Sequence, residues 1–91
     1  MKNQFDKNQI IEYLGREELV RVGKFNNYFK NNSWPEVRKC LDSLIEAGIV
    51  ESKMLIKNFN EFDEIHQVRH WVRYYSLTNA GEEQYKKLQN N

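Results

Sequence analysis

Apolar residues in the first part of the chain recur at the spacing of an α-helix. Ile10, Ile11 and Leu14 fall on one face of a predicted first helix over residues 5–15. Gly15 directly follows that face, and a glycine there is a common helix end because it tolerates a left-handed backbone. The pattern therefore predicts a short amphipathic helix with one face in a core.

The following segment allows two interpretations. Residues 19–22 are mostly apolar and suit a short strand. Phe25 and Phe29 are four positions apart and suit a short helix over residues 23–31. A single longer helix that begins at Glu17 accounts for the same positions. The pattern leaves both interpretations open.

The third predicted helix, residues 33–47, has the most regular pattern. Val37, Leu41 and Leu44 follow one another at i, i+4 and i+7 and form a buried face. Gly48 then ends the helix by allowing the chain to turn back.

Capping residues support both of the longer predicted helices. Asp6 is followed three residues later by Gln9, the spacing of a capping box in which side chains and backbone bond reciprocally. Ser33 and Glu36 repeat that spacing at the start of the third helix. The sequence therefore predicts a capping box at each of these two helix starts.

After Gly48 the apolar period changes from that of a helix to that of a strand. Residues 49–77 contain two runs rich in β-branched and aromatic residues, which predicts a β-hairpin. A polar and acidic segment, residues 58–66, separates the two runs and forms the predicted hairpin tip. Thr78 then caps a closing helix over residues 79–89.

Length and composition are those of an ordinary globular domain. The chain has 91 residues, 40% of them hydrophobic and 30% charged, which indicates one domain over residues 1–91. No apolar run is long enough to span a membrane and no secretory signal is visible, so we expect a cytoplasmic protein without a membrane partner. The formal net charge is +1. Residues 19–57 contain seven basic and four acidic residues, whereas residues 58–66 contain three acidic residues and no lysine or arginine.

The order of these elements, with the segments VRKCLDSLIEAGIVE and YYSLTNAGEEQYKKL, resembles the winged helix-turn-helix class of DNA-binding domains. Prokaryotic PadR-like and MarR-like regulators belong to that class. The residues that match its pattern are Leu41, Leu44, Gly48, Val50, Tyr75, Leu77, Thr78 and Gly81. The resemblance covers about residues 5–89 and implies an α+β fold: three helices, a two- to three-stranded antiparallel hairpin (the wing) and a closing C-terminal helix.

The resemblance also implies which exposed residues contact DNA. In that class the helix corresponding to residues 33–47 is the recognition helix, which enters the major groove. Arg38 suits a guanine edge or a phosphate, and Lys39 suits a phosphate. The predicted DNA-binding residues on the helix and the wing are Asn32, Ser33, Glu36, Arg38, Lys39, Ser43, Arg69 and Arg73. The competing interpretation is a solvated face on which Arg38 and Lys39 pair with Asp42 and Glu46.

Two functions therefore follow from the sequence. The first is a DNA-binding transcriptional regulator of prokaryotic or viral type that binds double-stranded DNA as a homodimer, with the first and last helices as candidate dimer contacts. The second is a protein–protein interaction adaptor that uses the wing tip, residues 58–66, with Phe59 and Phe62 as the contacts. The acidic tip favours the second function, because its carboxylates repel DNA phosphates.

Catalytic and metal-binding patterns are not evident. His66 and His70 are four residues apart in a predicted strand, which separates them by roughly 13 Å. Cys40 is the single cysteine and falls on the apolar side of the third helix, where it suits packing. We therefore expect a protein that is not an enzyme and that has no metal site and no cofactor.

Overall fold

The computed structural model describes residues 5–60 and 67–90, with side chains described for residues 5–56 and 71–90. Within these ranges the protein has an α+β fold of four helices and one three-stranded antiparallel sheet. The elements in chain order are α1 (Lys7–Glu17), β1 (Leu19–Arg21), α2 (Val22–Tyr28), α3 (Trp34–Glu46), β2 (Val50–Asn60), β3 (Gln67–Leu77) and α4 (Asn79–Gln89). The strand order in the sheet is β1-β3-β2, so the last strand lies in the middle.

The capping box predicted for α1 forms, but the helix covers Lys7–Glu17 rather than residues 5–15. The Asp6 side chain accepts a hydrogen bond from the Asn8 amide at 3.0 Å, and the Asp6 amide donates to the Gln9 side chain at 3.3 Å. The helix then continues to Glu17, so the prediction that Gly15 ends it is wrong. Gly15 instead lies against the ring of Tyr85 on α4, where a Cβ atom would overlap the ring. Its small size therefore serves packing between two helices rather than a turn.

The segment after α1 is a strand followed by a helix, which excludes the single longer helix. In β1, Val20 pairs with Tyr75 of β3, and the Val20 side chain is completely buried. Helix α2 ends at Tyr28, three residues before the predicted end of the 23–31 helix. Asparagines at positions 31 and 32 follow, and asparagine favours turns because its side chain bonds its own backbone.

Helix α3 leads directly into the hairpin. Gly48 has φ = 76°, a left-handed conformation that a residue with a Cβ adopts only with strain. The turn is closed by the Gly48 amide, which donates to the Ile45 carbonyl at 3.1 Å, and by the Ile49 amide, which donates to the Leu44 carbonyl at 2.9 Å. This turn sends the chain from the end of α3 straight into β2.

The predicted caps of α3 and α4 have different outcomes. Ser33 occupies the N-cap position of α3, but its side chain makes no capping hydrogen bond, so the capping box predicted with Glu36 does not form. Thr78 caps α4 as predicted, because its Oγ1 accepts from the Gly81 amide at 3.1 Å. The single hydrogen of the same hydroxyl is shared between the backbone carbonyls of Gly48 and Ile49, which ties α4 to the turn before β2.

A single core lies between the helices and the proximal part of the sheet. Its aromatic centre is formed by Phe25, Phe29, Tyr13 and Tyr75, whose rings pack in edge and tilted arrangements. The buried apolar residues are Ile10, Ile11, Tyr13, Leu14, Val20, Phe25, Phe29, Val37, Leu41, Leu44, Val50, Tyr75 and Leu77. The faces predicted for α1 and α3 are therefore the faces that the core buries.

The β2–β3 hairpin extends well beyond this core. The two strands pair without interruption from Val50–Leu77 to Asn60–Gln67, over roughly 36 Å at 3.3 Å per residue. Among the residues with described side chains, burial in β2 stops after Val50, while Met54 and Ile56 are 46% and 54% exposed. Most of the hairpin side chains described, those of residues 50–56 and 71–77, therefore lie outside the core. None of the helices within residues 5–60 and 67–90 has the length and apolar character needed to cross a membrane.

Candidate nucleic-acid interface

The exposed side of α3 is the surface to which the sequence assigns DNA contact. Val37, Leu41 and Leu44 point into the core, and Cys40 and Ile45 pack partly against it. All six candidate residues on or before α3 are exposed: Asn32, Ser33, Glu36, Arg38, Lys39 and Ser43. The structure thus leaves this whole set accessible to a partner.

The two cations of α3 project in different directions. Arg38 Nε lies 3.4 Å from Asp42 Oδ1, one turn further along the helix, and both side chains are more than half exposed. Lys39 is the next residue, about 100° further around the helix. Together with Glu36 and Ser43 it lines a shallow depression of about 380 Å³ beside the start of α1. The candidate set is therefore divided between two sides of the helix.

The charge of α3 itself is slightly negative. The helix contains two basic and three acidic residues, and the acidic ones are Glu36, Asp42 and Glu46. The ion pair predicted as the solvated alternative for Arg38 is present, whereas Lys39 has no carboxylate within ion-pair distance among the described residues. An exposed pair of this kind contributes about 1 kcal/mol at most, so a phosphate can compete for the guanidinium.

The arginines of β3 are the second part of the candidate surface. Arg73 is exposed and donates a hydrogen bond to Ser52 Oγ of β2 at 2.9 Å, so its guanidinium lies along the hairpin face that continues from the core. Arg69 pairs with Asn58 in the backbone register, and its side chain lies outside the described residues. Of the two, only Arg73 can therefore be placed on a surface.

The aromatic residues of the hairpin have different environments. Tyr75 is 2% exposed and belongs to the core, whereas Trp71 is 65% exposed. Phe59 pairs with Val68 in the register without a described side chain. Phe62 and His66 fall outside the described residues, as does most of the acidic tip. The adaptor surface predicted from the tip therefore has no described geometry.

Two features of the structure were not predicted from the sequence. Tyr13 and Tyr28 stack with ring centroids 3.9 Å apart, and Arg16 donates to the Tyr28 hydroxyl at 3.1 Å. The second is an apolar strip on the hairpin, formed by Met54, Ile56 and Trp71. Its signal was the apolar run Met54–Ile56 within SKMLIK, but the sequence does not show where the hairpin leaves the core.

An ion pair beside α2 carries the clearest electrostatic effect in the described residues. Lys24 Nζ lies 2.6 Å from Glu17 Oε1, and this hydrogen bond lowers the pKa of Glu17 below its ordinary value. The same contact raises the pKa of Lys24. Lys24 is one of the seven basic residues within residues 19–57, and its charge is already partly neutralised by Glu17.

Within the described part of the chain, no three His, Cys, Asp or Glu side chains come together as a metal site would require. Cys40 is half-buried against the core and borders the depression beside Lys39.

Comparison of the sequence with protein-family models finds no match, and comparisons with curated proteins and with solved structures find none either.

Proposed function

We propose that this protein binds duplex DNA through α3 and acts as a transcriptional regulator. The observation that carries the proposal is the element order combined with the strand order β1-β3-β2. A short strand between α1 and α2 joins the sheet beside β3, and α3 passes through one tight turn into a long hairpin. This arrangement is compatible with a winged helix, in which the helix before the hairpin enters the major groove.

The exposed side chains of α3 supply chemistry that suits a groove. Arg38 is able to bond the two acceptors of a guanine edge, and Lys39 is able to bond a phosphate. Asn32 and Ser33 lie at the start of the helix, where the backbone amides and the positive end of the helix dipole also favour a phosphate. Arg73 on the hairpin adds a further cation for the DNA backbone.

A titration of fluorescent duplex DNA followed by anisotropy tests this proposal. Random and genomic duplex pools are titrated at low and at physiological salt. We expect binding that weakens with salt, with a logarithmic slope of about −3 if three phosphates are contacted. Absence of binding at low salt to either pool would remove the regulator from consideration.

The second candidate is a protein–protein adaptor, and the charge of α3 favours it. Three carboxylates against two cations on the helix oppose a polyanion and do not oppose a protein partner. The discriminating variants are Phe59→Ala with Phe62→Ala, in the predicted contact segment of the tip. An adaptor loses its partner in this double variant, whereas a DNA-binding protein keeps its affinity for duplex DNA.

A further inference from the structure

The outer edge of β2 carries no further strand within residues 5–60 and 67–90. Since β3 lies in the middle of the sheet, β2 bonds β3 on one side, and no other described strand pairs with its second side. The strand Val50–Asn60 has the sequence VESKMLIKNFN and contains no proline. A long edge without proline offers a row of free amide and carbonyl groups to another strand.

The same part of the hairpin exposes apolar side chains on one face. Ile56 pairs with Trp71, and Met54 lies two residues away on the same face. Their exposed fractions are 54%, 65% and 46%. Single exposed apolar residues are ordinary, but a contiguous strip beside an open strand edge marks an interaction surface.

The charges at the start of β2 are arranged so that the strand complements itself. Glu51 and Lys53 project on the same side of the strand, and Lys53 Nζ lies 3.0 Å from Glu51 Oε1. In an antiparallel pair of identical strands, a two-fold axis passes through one central residue. Each residue before the centre in one copy then faces the residue at the same distance after the centre in the other copy. If the centre is Ser52, Glu51 of one copy faces Lys53 of the other.

We propose that a second copy of this chain binds the open edge of β2, antiparallel and centred on Ser52. Two Glu–Lys pairs then form across the axis on one face, from Glu51 and Lys53 of each copy. On the other face Val50, whose side chain is buried in the core of its own copy, is opposite Met54 of the partner subunit. The two sheets join into one of six strands, with a strip of Met54, Ile56 and Trp71 from each copy on the same side.

Neighbouring registers are less favourable. A two-fold axis at Lys53 places the Lys53 side chains of the two copies opposite each other. An axis at Glu51 places the two Glu51 carboxylates opposite each other. Like charges directly opposite one another in a sheet are destabilising. A centre at Met54 removes the repulsion but places Lys53 opposite Leu55 and Ser52 opposite Ile56. Of these registers, the one centred on Ser52 is thus the one in which opposite charges face each other.

This dimer does not depend on DNA binding, and its test uses the protein alone. Sedimentation velocity over a concentration series measures the dimer fraction of the full chain. Lys53→Glu replaces two attractive pairs by two repulsive ones and is expected to weaken the dimer at least about tenfold. Glu51→Lys combined with Lys53→Glu restores two attractive pairs and is expected to restore the dimer. Circular dichroism confirms that each variant is folded.

Oxidative crosslinking tests the register. Ser52→Cys places two thiols directly opposite each other, with Cα atoms about 4.5–5.5 Å apart, within reach of a disulfide. Met54→Cys lies on the same face of the same strand. In this register residue 54 faces residue 50 of the second copy, so the two introduced cysteines are offset by four residues, roughly 13 Å along the strands. We expect a crosslinked dimer from Ser52→Cys and none from Met54→Cys, with the unmodified chain reporting any linkage through Cys40.

A chain that is monomeric over the whole concentration series would overturn the proposal. So would a dimer that Lys53→Glu leaves intact, or one that Glu51→Lys with Lys53→Glu fails to restore while the variant remains folded. Equal crosslinking of Ser52→Cys and Met54→Cys would exclude the register. None of these results bears on whether α3 binds DNA.

Discussion

The guanidinium of Arg38 lies 3.4 Å from the carboxylate of Asp42, one turn further along α3. The arginine assigned to a DNA base or phosphate is therefore held by a carboxylate that itself repels DNA. Since both groups are exposed, the pair is weak enough to open when a phosphate approaches. Substitution of Asp42 is therefore the simplest way to distinguish a DNA-binding regulator from a protein–protein adaptor.

Asp42→Asn is expected to strengthen binding to duplex DNA about fivefold at low salt, because it releases Arg38 and removes one repulsive charge. The effect is measured by anisotropy with the unmodified chain beside it.

Glu83→Gln on α4 is the matched control for that substitution, because it removes one exposed carboxylate far along the sequence from α3. We expect it to change the affinity by less than about twofold. An Asp42→Asn variant with unchanged or reduced affinity would contradict DNA contact by Arg38.

The packing of Gly15 against Tyr85 leads to a stability prediction. Gly15→Ala places a methyl group in the Tyr85 ring, and overpacking of this kind costs about 1–3 kcal/mol. Gly23→Ala in α2 meets nothing closer than 3.9 Å, so its expected effect is between zero and about 1 kcal/mol of stabilisation. Chemical denaturation of the two variants measures the difference.

Truncation of the ring tests the cause of that cost. In a Tyr85→Ala background, Gly15→Ala is expected to cost much less than in the unmodified chain, because the overlapping atoms are gone. An equal cost in both backgrounds would show that Gly15 is required for some other reason.

The helices and the hairpin were predictable from the sequence because their signals are local. The apolar spacing of α3 and the capping box of α1 each lie within a few residues of one another. The role of Gly15 was not predictable, because it depends on Tyr85, seventy positions further along the chain. The same holds for the candidate site: sequence identifies Arg38 and Lys39 as exposed cations, but only the helix geometry shows that they project to different sides.

The two predicted caps that behave differently provide a second stability test. Thr78→Ala removes the hydrogen bond accepted from the Gly81 amide and those donated to the turn before β2, so we expect a loss of about 1–2 kcal/mol. Ser33→Ala removes no capping hydrogen bond and is expected to cost less than about 0.5 kcal/mol. Thermal or urea unfolding distinguishes the two, and similar losses would mean that Ser33 does cap α3.

The pair of Glu17 and Lys24 predicts a dependence of stability on pH. The pKa of Glu17 is lower in the folded protein than in the unfolded chain, because Lys24 donates a hydrogen bond to its carboxylate. The stabilising contribution is therefore present above the unfolded pKa and is lost as the pH falls through the lowered folded pKa. Lys24→Gln is expected to raise the pKa of Glu17 towards its ordinary value.

Carboxyl resonances of Glu17, followed by NMR over the acid range, measure that change directly. Because both side chains are partly exposed, we also expect added salt to reduce the shift. A pKa of Glu17 that is the same with and without Lys24 would contradict the hydrogen bond.

The most direct test of the central claim is the salt dependence of duplex binding in two double variants. Arg38→Ala with Lys39→Ala removes both cations of α3, whereas Lys86→Ala with Lys87→Ala removes two exposed cations from the last turn of α4. If α3 lies on DNA, the first pair lowers the affinity at least about tenfold and reduces the salt slope by about 2, and the second pair changes both far less. Equal losses in the two double variants, or no loss in the first, would contradict a DNA-binding role for α3.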